Sequence, residues 1–129
     1  MNSLEQFLAL PDVNTLEEEV FVSKRVGTFK VKPMTQDDFK EYQKQSTGKI
    51  TKKGTDFDIA KFNLLMVAGQ TVEPNFKDKT LLDKAGCAIA TELIKKKLLS
   101  GEIAELAKQI QTISGFDDDI EEDVNDAKN

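Results

Sequence analysis

The sequence predicts an α+β fold: a mostly helical single domain of about five helices with an N-terminal β-hairpin. Three observations predict it. Residues 19–24 and 28–32 read as two strands on either side of a turn that contains Gly27, the second alternating Phe29 and Val31 with Lys30 and Lys32. Residues 59–68 are apolar almost all the way round, the pattern of a helix covered on every side. Residues 98–116 place Ile103, Leu106, Ala107, Ile110 and Ile113 at helical spacing, one apolar stripe on an otherwise polar segment.

Residues 3–10 form a short helical pattern, with Ser3 and Gln6 at capping-box spacing and Pro11 as its stop. So short a helix does not stand alone in water, and Leu4, Phe7 and Leu8 are expected to pack on the domain or on a partner. In the hairpin, Phe29 and Val31 point to a dry face and Lys30 and Lys32 to a wet one. After Pro33, Thr35-Gln36-Asp37-Asp38 opens a helix running to about Ser46, with Phe39 and Tyr42 inward. Residues 48–54, carrying Lys49, Lys52 and Lys53, are expected to be a flexible basic loop. Asp56 is expected to start the apolar helix, with Phe62 and Leu65 buried, fraying at Gly69 before a turn at Glu73-Pro74-Asn75. Asp78 caps a short helix ending at Gly86, and residues 91–99 form another with Leu93, Ile94 and Leu98 inward. In the final helix Ser100 or Gly101 is the expected cap. Glu102, Glu105, Lys108, Gln109 and Gln111 take the wet face. Ser114-Gly115-Phe116 reads as a Schellman ending, with Gly115 left-handed and Phe116 folded back on Ile110.

The net charge of −5 hides a pattern. Residues 1–23 hold five acids and no base, 24–54 nine bases against three acids, and 55–115 eight of each. Residues 116–129 hold seven acids and one lysine. The expected organisation is therefore one globular domain over 1–115 and an acidic tail over 116–129. In that tail Phe116, Ile120 and Val124 sit four apart as one apolar edge, the candidate partner-binding residues. No signal peptide and no apolar run near the length of a membrane span is present. One cysteine, Cys87, fits a reducing cytoplasm.

Without histidine, nucleophilic triads lose their usual base, and a single cysteine does not supply a zinc site. Asp117-Asp118-Asp119 with Glu121 and Glu122 lacks the loop glycine and oxygen spacing of an EF-hand. The basic loop lacks the Gly-Lys-Ser/Thr ending of a phosphate-binding loop. No catalytic, cofactor-binding or metal-binding residue is assigned, and an enzyme is not expected. One alternative role stands beside a protein-binding one: a small nucleic-acid-associated regulatory protein using residues 24–54, with Phe29 and Tyr42 as stacking groups. The acidic net charge weighs against it.

Four stretches together resemble a known family: Ser3-Leu4-Glu5-Gln6-Phe7-Leu8; Glu19-Val20-Phe21-Val22-Ser23-Lys24-Arg25; Thr71-Val72-Glu73-Pro74-Asn75-Phe76; and Gly101-Glu102-Ile103 leading to Ser114-Gly115-Phe116. They are similar to the XkdN-like tail assembly chaperones of contractile-tailed phages and of phage-like elements in Gram-positive bacteria. The resemblance implies a non-enzymatic, cofactor-free protein of the host cytoplasm. Such a protein binds the tape-measure protein, delivers it for tail-tube assembly, and is not retained in the mature virion. It also implies a longer product that would reach the tail-tube protein, made by a one-base backward ribosomal slip. The codons of Ala127-Lys128-Asn129 are the expected place, because slipping there leaves the whole domain intact.

Overall fold

A computed structural model of the chain describes residues 2–51 and 54–116. The element order is α1 (Ser3–Leu8), a 3-10 turn (Val13–Thr15), β1 (Glu18–Ser23), β2 (Gly27–Val31), α2 (Gln36–Ser46), β3 (Thr47–Thr51) and β4 (Gly54–Phe57). It continues through α3 (Ile59–Gln70), β5 (Thr71–Glu73), α4 (Lys79–Ala85), α5 (Ala90–Lys97) and α6 (Ser100–Ile113). The class is α+β, with the hairpin where the alternation put it. Among the described residues there are six α-helices, one more than expected.

The hairpin is antiparallel, with Val20 opposite Phe29 and Glu18 opposite Val31. Gly27 takes φ 90 at its turn, where a side chain would be strained. Val20, Val22, Phe29 and Val31 all point into the core. A third antiparallel strand, β5, pairs with β2 and gives the sheet order β1-β2-β5. The sequence did not signal β5, since three residues just before a proline carry no period. Its Thr71 hydroxyl instead donates to the Val67 carbonyl at 2.7 Å, so the strand grows directly off the last turn of α3.

Helix α3 is the centre, flanked by α2, α5 and α6. It begins after Asp58, whose carboxylate accepts from the Lys61 amide at 3.0 Å, rather than at Asp56. Phe62, Met66, Val67 and Ala68 are buried as expected, whereas Leu65 is half-buried. The helix does not fray at Gly69 but runs through Gln70. Gly69 is there for clearance: an added Cβ would lie 1.9 Å from the Tyr42 hydroxyl. That hydroxyl donates to Gln70 Oε1 at 2.7 Å. Gln70 Nε2 in turn donates to the Pro33 carbonyl at 2.9 Å and the Lys32 carbonyl at 3.2 Å. One buried amide thus ties α2, α3 and the end of β2 together, with its polar atoms satisfied. Burial, and then the nearby Asp38 charge, push the Tyr42 phenol up to about 12.

Helix α6 closes the core against α3 and β1. Leu106, Ala107 and Ile110 of the stripe are fully buried. The Schellman ending is present: the Phe116 amide donates to the Gln111 carbonyl and the Gly115 amide to Thr112, with Gly115 at φ 94. Two expectations for this helix fail. Glu102 and Gln111 are buried, not on the wet face. Neither Ser100 nor Gly101 caps it; Leu99 holds the cap position, and its amide donates to the Glu102 carboxylate at 2.8 Å. The expected loop over 48–54 is also corrected: β3 and β4 pair there as a second hairpin, with Thr47 opposite Phe57. Phe57 then meets Phe62 with ring centroids 5.4 Å apart, an anchor the basic loop residues did not reveal.

Candidate functional site

Every residue from Asn2 to Glu19 is exposed. Asn2 caps α1 by accepting from the Glu5 amide at 2.8 Å, taking the role expected of Ser3. The helix is therefore locally well specified, yet none of its residues is buried. Leu4, Phe7 and Leu8 share one face at i, i+3 and i+4. Phe7 is 68% exposed and Leu8 72%. Leu10, Val13 and Leu16 continue the apolar series toward β1, also exposed. Of the two expectations for this face, packing on the domain is not met. A contiguous exposed apolar segment of this kind marks an interaction site rather than ordinary surface. Its acids, Glu5, Asp12 and Glu17, stand without a base in the same stretch.

At the other end of the hairpin lies a cleft of about 500 Å³. Val26, Phe29, Phe76, Leu81, Leu93 and Leu98 make its apolar floor and walls, and Arg25, Lys84 and Lys97 stand around it. Phe29 and Phe76 meet edge to face there, centroids 5.8 Å apart. The Arg25 guanidinium is held by the Glu102 carboxylate: Nη2 donates to Oε1, and Nε to Oε2 at 3.2 Å. Nη2 also reaches the Lys97 carbonyl at 2.9 Å. Ser23 Oγ donates to Glu102 Oε2 at 2.7 Å. Hydrogen bonds from Arg25, then Ser23, then the Leu99 amide hold the Glu102 carboxyl down at about 2, and the same pairing raises Arg25 above its ordinary value. This clasp fixes the turn of the hairpin to the start of α6. It is positioning machinery, with both Glu102 carboxylate oxygens engaged inside the fold.

The residues singled out from sequence fall differently. Phe116 is half-buried and lies on Phe39, centroids 4.9 Å apart. Ile120 and Val124 lie outside the described residues, as does the rest of the expected acidic tail. Phe29 is buried and Tyr42 is engaged with Gln70, so neither is available to stack on a base. Lys30 is 4.0 Å from Glu73 across β2 and β5. Cys87 is half-buried against the core. Among the described residues no three acids or cysteines are grouped to hold a metal ion, and no helix is long and apolar enough to cross a membrane. The arm was legible as a helix in need of a partner. The cleft was not, because its lining comes from four separate stretches of chain.

A family model described as the phage XkdN-like tail assembly chaperone protein matches residues 4–128. The chain is 32% identical to the phage-like element PBSX protein XkdN of Bacillus subtilis strain 168, over 84% of this chain and 78% of that protein. It is 31% identical to the YqbN protein of the same strain, over 98% of this chain and 93% of the other. The crystal structure of YqbN superposes with a TM-score of 0.62 at 29% identity, covering 79% of this chain and 87% of that one. The family match over nearly the whole chain and the identity to its relatives agree: the chain belongs to the XkdN-like phage tail assembly chaperones.

Proposed function

We propose that this chain is a non-enzymatic chaperone that binds the tape-measure protein of a phage-like tail and delivers it for tail-tube assembly. It works in the host cytoplasm and leaves before the virion is complete. The exposed arm carries this proposal. Leu4, Phe7, Leu8 and Leu10 sit in water on a segment that rests on nothing of its own domain. Such a face lays readily against the apolar stripe of a long helical client, where both sides gain by leaving water. A tape-measure protein before assembly is that kind of client, a long chain whose own partners have not yet arrived. Family membership supports the role of the partner without naming it. Co-expression tests the proposal. The tape-measure protein should be recovered soluble and bound when made with this chain, and the Phe7→Asp, Leu8→Asp double variant should lose the complex while remaining folded. A tape-measure protein that never co-purifies with the wild-type chain would overturn it.

A further inference from the structure

We propose that two copies of this chain associate by exchanging arms, each seating the Leu4, Phe7 and Leu8 face of its α1 in the cleft of the other. The cleft volume of about 500 Å³ falls within the roughly 300–1,000 Å³ range of sites that bury a ligand. Its interior is apolar, and so is the face of α1. The charges are complementary. Arg25 is already neutralised by Glu102, but Lys84 and Lys97 are exposed, with no carboxylate within 4.0 Å among the described residues. The arm brings Glu5 and Asp12, in a stretch of 23 residues with five acids and no base.

The arm leaves the domain at the end of the hairpin away from its own cleft, and rests outside it. Residues Arg25 and Val26, at the turn end of the hairpin, line the cleft. The arm joins β1 at the opposite end, Glu18, about 20 Å away at the rise of a six-residue strand. To fill its own cleft the arm would have to double back along the whole hairpin. In the structure it does not: residues 2–19 stay exposed. Reciprocal exchange between two copies fills both clefts and closes a two-fold dimer, leaving no open end to propagate. The dimer and the client draw on the same α1 face, so the two exclude each other on one arm; the purified chain alone, with no client present, tests the dimer.

Sedimentation velocity of the full-length chain over a range of concentrations and salt is the experiment. A reversible dimer that weakens with added salt is expected. Phe7→Asp should weaken it by about 30-fold, as loss of a buried aromatic anchor does. Lys84→Glu with Lys97→Glu should do so by reversing the rim. All three positions are exposed, so circular dichroism should show both variants folded. Mixing the two variants should restore a one-to-one complex, since one brings an intact cleft and the other an intact arm. A wild-type chain that stays monomeric overturns the proposal. So does a dimer indifferent to Phe7→Asp or to the lysine reversals, or a pair of variants that fails to complement. A monomer whose arm amides are protected from hydrogen exchange would place the arm on its own domain, and would overturn it too.

Discussion

Gly69→Ala sets two effects of opposite sign against each other. Replacing a glycine in a helix by alanine stabilises by up to about 1 kcal/mol. Here the new Cβ would lie 1.9 Å from Tyr42 Oη, 2.8 Å from Cζ and 3.2 Å from Cε1. The ring must move, and it cannot do so without loosening the 2.7 Å bond to Gln70, whose amide is buried. Overpacking costs about 1–3 kcal/mol. A weakened hydrogen bond to a buried acceptor adds about 1 kcal/mol. The clash wins, and net destabilisation of about 1–3 kcal/mol is expected from these terms. Urea denaturation followed by circular dichroism reads it as a lower midpoint with an unchanged slope. Tyr42→Phe supplies the control, because it removes the atom at 1.9 Å while leaving Cζ at 2.8 Å. The double variant should therefore be less destabilised than the sum of the two singles, a coupling of about 0.5 kcal/mol or more. A Gly69→Ala chain as stable as the wild type would refute the clearance argument.

Other outcomes follow from the same contacts. The Glu102 carboxyl is held at about 2 against an ordinary 4.5, so its contribution is complete above pH 4.5 and lost as pH falls toward 2. Acid titration of stability should show that loss in the wild type and a flatter profile in Glu102→Gln. The Tyr42 phenol, raised from 10.0 to about 12, favours the neutral form in the fold. Stability should fall as pH rises from 10 toward 12, and Tyr42→Phe should remove that fall. Leu106→Asp buries a carboxylate at a fully enclosed position and should leave the protein unfolded or aggregated; a native dichroism spectrum would show the stripe is not core. A chain ending at Phe116 keeps the Phe39 stack but lacks Ile120 and Val124, and should capture less tape-measure protein; undiminished capture would remove that edge from the binding surface.

Local patterns in the sequence translated well where one short segment decides its own conformation. The hairpin alternation, the caps at Thr35 and Asp78, and the glycine ending of α6 depend on near neighbours in the chain, and each is present. Features decided across the chain were invisible or misjudged. Glu102 looks solvated by helical phase, yet Ser23 and Arg25, more than 70 positions earlier, draw it inside. Gly69 looks like a breaker until Tyr42 is seen above it. The arm shows the converse: its face has core periodicity, and only the fold reveals that no core covers it. A periodic apolar stripe reports that something is to be buried, not which molecule buries it.

The closing role of α6 has a consequence in time. Ser23 waits for Glu102, Phe21 for Gln109 and Met34 for Ser114, separations of 79, 88 and 80 residues. During synthesis β1 and β2 can pair as soon as both have left the ribosome, because their register needs only each other. The dry face of Val20 and Val22 still has no cover until the last helix emerges. Contacts so distant along the chain form late, since the intervening loop must first be closed. For that interval a nascent chain shows two sticky surfaces, the unfinished core and the arm, and only the first is covered by the chain's own folding. The docking rate of α6, more than the formation of the hairpin, sets how long a neighbouring copy can mistake one for the other.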